Sequence, residues 1–147
     1  ILEKYLAMQK LRFEERFEYE IKIDENIEND STVIPPMITQ PFIENAIEHG
    51  QLHTIDGGFI SVSFKKLNDM LSIQIEDNGI GRKGSMSNKK SKVHKSMAMQ
   101  ITKERIENIN KKYKTSGTLD IEDFNKNLET GTKVLILLPL REEKPNL

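Results

Sequence analysis

The chain has no cysteine among its 147 residues. A disulfide framework and thiolate metal sites are therefore excluded, and a reducing compartment fits. It also has no surplus of either charge, since 22 Lys and Arg against 23 Asp and Glu give −1. Duplex-DNA binders carry a basic excess, so this balance argues against a nucleic-acid partner. No apolar run approaches the ~20 residues of a membrane span. No signal-like segment opens the chain, which starts at Ile1 inside a helical pattern and reads as a soluble domain excised from something longer. Internal repeats, low-complexity tracts, the Walker phosphate loop and the dinucleotide glycine fingerprint are all missing. The length suits one domain that buries roughly two thirds of the surface its unfolded form exposes.

Residues 1–16 read as a helix with Leu2, Leu6 and Phe13 near one face. The period then changes to two: Phe17, Tyr19, Ile21 and Ile23 alternate with Glu18, Glu20, Lys22 and Asp24, a half-buried strand. After an acidic loop, Pro35-Pro36 opens a helix, with Pro41 kinking it or sitting in its first turn and Gly50 ending it. Two alternating strands follow, through Ile60, Val62 and Phe64 and through Leu71, Ile73 and Ile75. The short turn Leu67-Asn68-Asp69-Met70 joins them into a hairpin. Residues 82–95 show no periodicity and predict a loop; Ser96 is placed to cap a helix running to Tyr113. Gly117 separates that helix from a strand at Leu119 to Ile121, and Val134 to Leu138 reads as a central strand. Residues 141–147 read as a tail. Hairpins with helices between them predict an α+β fold, a mostly antiparallel sheet with helices packed on one face.

Two stretches could carry chemistry. At about 100° per residue, Asn45 shares a helix stripe with Ile38 and Phe42. A buried amide needs partners or costs roughly 1–3 kcal/mol. Asn45 is then either a core asparagine tied to backbone or an oxygen ligand for a phosphate-bound Mg²⁺. His49 follows it by four residues, close enough to touch the same ligand, although a histidine there also packs or caps. Glu44 and Glu48 flank Asn45 on the helix and either border the site or meet water. Asp77 ends a strand and runs straight into Gly79 and Gly81. A carboxylate there can accept a hydrogen bond from an exocyclic amine, while the glycines let backbone approach the ligand; Asp-Asn-Gly is also a common turn. Residues 82–95 hold seven basic side chains and no acid, from Arg82 to Lys95. That is either a solvated loop or an electropositive cover for a polyphosphate. Gly131-Thr132 is either a turn or a hydroxyl and backbone contact to the same ligand.

Taken in order, the asparagine helix, Asp77-x-Gly79-x-Gly81, the basic loop, a second helix and Gly131-Thr132 resemble the ATP-binding domain of sensor histidine kinases. That domain has the Bergerat-type fold shared with gyrase, Hsp90 and MutL. Tyr5-Leu6-Ala7-Met8-Gln9-Lys10-Leu11-Arg12-Phe13, Pro35-Pro36, Gln40-Pro41, Glu44-Asn45-Ala46 and His49-Gly50 resemble the LytS/YehU type. The resemblance covers nearly the whole chain. It implies that Asn45 coordinates Mg²⁺, that Asp77 reads the adenine amine and that Gly79 and Gly81 shape the adenine pocket. Residues 82–95 would be the ATP lid, followed by Ser96 and Ala98 at the phosphates, with His49 beside the ligand and Gly131 and Thr132 closing the far side. Residues 17–140 would form the ATP-binding domain, 1–16 the end of a connecting helix.

Departures from the family pattern bear on activity. Relatives carry glycine-x-glycine-leucine after the lid where this chain has Ser96-Met97-Ala98-Met99, and often a lysine where it has Glu48. The gyrase-like ATPases place a water-activating glutamate four residues before the asparagine, at the position of Pro41 here. That favours phosphoryl transfer over hydrolysis. The implied partners are ATP with Mg²⁺, a histidine-bearing dimerisation segment of a homodimeric, membrane-anchored parent whose catalytic domain is cytoplasmic, and a response regulator. The alternative is a nucleotide-binding interaction module, a pseudokinase without phosphoryl transfer.

Overall fold

A computed structural model describes residues 17–25, 27, 38–49, 57–79, 89–126 and 129–139. Five strands form one mixed sheet in the order β1-β2-β3-β5-β4: β1 (Phe17–Ile23), β2 (Gly58–Leu67), β3 (Met70–Asp77), β4 (Thr118–Lys126) and β5 (Glu129–Pro139). Three of the four pairings are antiparallel, and β1 joins β2 in parallel. A parallel neighbour needs a long crossover. Between β1 and β2 the chain supplies helix α1 (Gln40–Glu44), which passes directly into a π-helical turn over Asn45–His49. Helix α2 (Lys89–Tyr113) lies between β3 and β4.

Period-two patterning decides which face is covered. Ile60, Val62, Ile73, Ile75, Val134, Ile136 and Leu138 alternate along β2, β3 and β5 and are buried in one cluster with Phe42, Ile43, Ala46 and Ile47 of the first helix. Ile106 of α2 joins that cluster, and Met99, Ile109, Leu119 and Ile121 pack against it. Both helices therefore cover the same face, as the α+β reading expects. Among the described residues, the other face carries mainly polar positions (Ser61, Ser63, Lys65, Ser72, Gln74, Glu76 and Lys133), with Leu135 and Leu137 beside them.

The hairpin turn holds in register, with Leu67 opposite Met70. Asn68 takes φ 55 there, a conformation its short side chain tolerates. Pro41 lies in the first turn of α1, where its missing N–H costs nothing. Strand β4 is longer than the expected Leu119–Ile121. Asp120, Glu122 and Asp123 weaken the strand pattern, yet backbone pairing to β5 runs from Thr118 to Lys126, and charges on an edge strand deter pairing with another chain.

Helix α2 corrects the expected boundary at Ser96, because it already begins at Lys89. Residues 89–95 contain neither glycine nor proline and are rich in lysine. A helix nucleated further along extends through such residues at one hydrogen bond each, without an apolar stripe. The last seven residues of the expected loop are therefore helical. The expected helix at 1–16, the proline pair 35–36, the stop at Gly50, residues 82–88 of the loop and the tail 141–147 lie outside the described residues.

The end of α2 is fastened to the sheet. Thr115 N–H donates to the Asn110 carbonyl at 3.1 Å, and Lys114 has φ 53. That is the left-handed C-terminal cap in which glycine is usual. The Asn110 side chain then pairs with Gly117 as a strand would, accepting from its N–H at 2.7 Å and donating to its carbonyl at 3.0 Å.

Candidate nucleotide site

The site is built where the sheet's alternation turns polar. Asp77 is the last residue of β3 and stands on the covered face, two residues beyond Ile75. It is 6% exposed. A buried carboxylate must be hydrogen-bonded, and its Oδ1 accepts from Gly79 N–H at 2.8 Å. The bond closes a tight turn from Asp77 to Gly79 at the end of the strand.

Across the sheet, Asp77 pairs with Ile60 on one side and with Thr132 on the other. Thr132 in turn pairs with Asp123 of β4. Asp77 and Thr132, 55 residues apart in sequence, therefore sit on adjacent strands in one row on one face. Beyond that row the β4–β5 ladder continues through Phe124–Gly131 and Asn125–Thr130 to Lys126–Glu129. At roughly 3.4 Å per residue, the hairpin overhangs the end of β3 by about 10 Å. Gly131 is the first rung of that overhang.

Asn45 is the first residue of the π turn, and its N–H is shared between the Phe42 and Pro41 carbonyls. The sequence stripe through Ile38, Phe42 and Asn45 is corrected in detail. Phe42, Ile43, Ala46 and Ile47 make the buried face, and Asn45 is half-buried beside it. On a regular step of about 100° these four residues fill one arc of the helix, with Phe42 nearest to Asn45 and Asn45 at the arc's edge, where the π turn begins. Such turns occur frequently at functional sites. The Asn45 amide is therefore neither sealed in the core nor on the solvated side, and its helix covers the same face that carries Asp77. An amide oxygen suits a hard cation that also keeps waters and phosphate oxygens. Among the described residues no group of three or more His, Asp or Glu side chains forms an all-protein metal cage.

Of the remaining expected site residues, Gly79 is buried beside Asp77. His49 closes the π turn, and Ser96 and Ala98 lie within α2 rather than before it; for these three only the backbone position is described. Gly81 lies outside the described residues.

Sequence reasoning missed Asn78. Its side chain accepts from Phe59 N–H at 2.7 Å and donates to the Gly57 carbonyl at 2.9 Å. An asparagine in an Asp-Asn-Gly turn ordinarily bonds backbone nearby. This one reaches back 19 and 21 residues, and no local signal could reveal that. The position of Asp123 beside Thr132 was also missed, because it follows from strand register alone.

No family model matches the chain. Along 143 residues, 97% of its length, it is 29% identical to the sensor histidine kinase YesM of Bacillus subtilis (strain 168). Over 80 residues, 54% of its length, it is 35% identical to the sensor protein LytS of Staphylococcus haemolyticus (strain JCSC1435). Among solved structures, the Mycobacterial sensor histidine kinase MprB superposes with a TM-score of 0.60 at 16% identity, covering 95% of this chain and 92% of that one. The chain is similar in sequence to sensor histidine kinases. Its fold is that of the histidine kinase MprB, and its sequence likeness includes the LytS type. It spans 23% of the length of YesM and 13% of that of LytS.

Proposed function

We propose that this chain is the catalytic ATP-binding domain of a two-component sensor histidine kinase, which binds Mg²⁺-ATP and presents the γ-phosphate to a histidine on another segment of its parent. The observation that carries the proposal is the buried Asp77 at a strand end, held by Gly79 N–H and in register with Thr132. Asp77 accepts the adenine amine, and Gly79 with Gly81 lets the base approach backbone. Thr132 and Gly131 flank the far side.

On the other wall, Asn45 supplies the amide oxygen for Mg²⁺, with His49 next to it; the bound cation neutralises phosphate charge. Residues 82–95 bring cations over the phosphates, and Ser96 and Ala98 follow them at the phosphate end. Pro41 offers no proton acceptor where a hydrolase would need one to activate water. The domain therefore acts by positioning and charge neutralisation rather than by a general base. Residues 17–140 form this domain, 1–16 lead from the dimerisation segment and 141–147 form a tail. The parent is a membrane-anchored homodimer with this domain in the cytoplasm, passing phosphate to a response regulator.

Calorimetric titration with Mg²⁺-ATP tests the adenine contact. In Asp77→Asn the amide oxygen still accepts from Gly79 N–H, so the fold survives. The charge-assisted bond to the amine is lost, about 1.5–3 kcal/mol, or roughly 10- to 100-fold in affinity. Unchanged affinity would sink the adenine assignment. Phosphoryl transfer is tested separately, by labelling of the parent's histidine from γ-labelled ATP.

A further inference from the structure

The β2–β3 ladder ends at Ile60 opposite Asp77, so the carboxylate stands on the last rung of its strand pair. Strand ends open readily where nothing follows the last rung. Here something follows. Asn78 N–H donates to the Phe59 carbonyl at 3.2 Å, its Oδ1 accepts from Phe59 N–H at 2.7 Å and its Nδ2 donates to the Gly57 carbonyl at 2.9 Å. Main chain and side chain of one residue thus extend the ladder past Asp77 by three bonds. Gly57 takes φ +76 at this point, a conformation open to glycine, and an added Cβ would meet nothing within 4 Å. Its requirement is conformational: the turn brings the Gly57 carbonyl within reach of the Asn78 amide.

Resting on the reading of Asp77 as the adenine contact, we infer that Asn78 is a positioning residue for nucleobase selection. Its exposed side chain touches no base. It holds β3 against the start of β2, so that the buried carboxylate keeps one orientation, with Gly79 N–H fixing Oδ1 from the other side. Consecutive residues divide the work: Asp77 faces the covered side, and Asn78 locks the strand edge in the plane of the sheet. The same lock fixes the first residues of β2, where the chain arrives from the helix that carries Asn45.

The readout is selectivity between bases. ATP and inosine triphosphate share their sugar and phosphates, but inosine offers a carbonyl where adenine offers an amine, and a fixed carboxylate repels it. Affinities for both, with Mg²⁺, are measured by calorimetry on the wild-type chain, Asn78→Ala and Asn78→Asp, with far-UV circular dichroism reporting the folded fraction. Asn78→Asp keeps an acceptor for Phe59 N–H and loses the donor to Gly57; it decides the matter if Asn78→Ala fails to fold. The expected result is a three- to tenfold fall in the ATP-to-inosine-triphosphate affinity ratio, the scale of one or two hydrogen bonds. A purely structural role lowers both affinities together and leaves the ratio unchanged, which would overturn the inference while wild-type ATP binding upheld the site. A wild-type chain that binds neither nucleotide overturns the site and this inference together.

Discussion

Gly117→Ala should destabilise the domain by about 2–4 kcal/mol, and the reason is a close approach rather than backbone freedom. A Cβ at this position would stand 2.7 Å from the Leu137 carbonyl oxygen, 3.1 Å from Asn110 Oδ1 and 3.4 Å from Ile106 Cγ2. The nearest atom is backbone in β5, a strand paired on both sides, so it cannot swing aside as a flexible side-chain tip would. Overpacking of this kind costs typically 1–3 kcal/mol. Any outward shift of Gly117 also stretches its paired bonds to Asn110, at 2.7 and 3.0 Å, each worth about 1 kcal/mol net. For a domain of this size, a loss of 2–4 kcal/mol lowers Tm by about 6–12 °C. Thermal unfolding followed by circular dichroism reads it. A Tm within about 2 °C of wild type would refute the argument, because the added methyl would then have found room beside the Leu137 carbonyl. Asn110→Ala supplies the control: without adding bulk it removes both bonds to Gly117 and the one Oδ1 accepts from the Thr115 hydroxyl at 3.1 Å, and should cost about 1–3 kcal/mol.

Lys114 occupies the left-handed cap of α2 at φ 53, where a side chain costs roughly 1 kcal/mol. Lys114→Gly should raise Tm by about 3 °C despite glycine's greater freedom when unfolded. Ile73 is fully buried between Phe64 and Ile136 across the sheet; Ile73→Ala should cost about 2–5 kcal/mol in a denaturant titration, with an unchanged slope if only the core is affected.

The sheet was legible wherever one face is wet and one is covered. Phe17 to Ile23 and the hairpin from Ile60 to Ile75 alternate cleanly, and their strands fall where the alternation places them. The long β4 was hidden because its acidic positions obscure alternation while the backbone still pairs. Helix α2 was legible from Met99 onward, where Met99, Ile106 and Ile109 meet the core. Its first turns are invisible to periodicity because Lys89 to Lys95 carry no repeating apolar position that a pattern could register. The π turn was hidden too, since the buried set Phe42, Ile43, Ala46 and Ile47 keeps ordinary helical spacing and gives no sign of it.

Site legibility follows the same physics. Asp77 could be singled out because an acid between an apolar strand and a glycine is a local conflict, visible in sequence. Thr132 carried only a weak signal, and it is pairing with Asp77 that sets it apart, while Gly131 stands one rung beyond the end of β3. A β-sheet converts sequence distance into lateral neighbourhood: with a period of two, one register decides at once that Asp77 and Thr132 share a face. A slip of one residue in β5 would move Thr132 to the opposite face and expose Val134, Ile136 and Leu138 with it. The burial of those three residues, 0–4% exposed, thus fixes the register that brings a threonine beside the aspartate. The apolar core and the polar row depend on a single pairing, so a change that slips β5 by one residue loses both together.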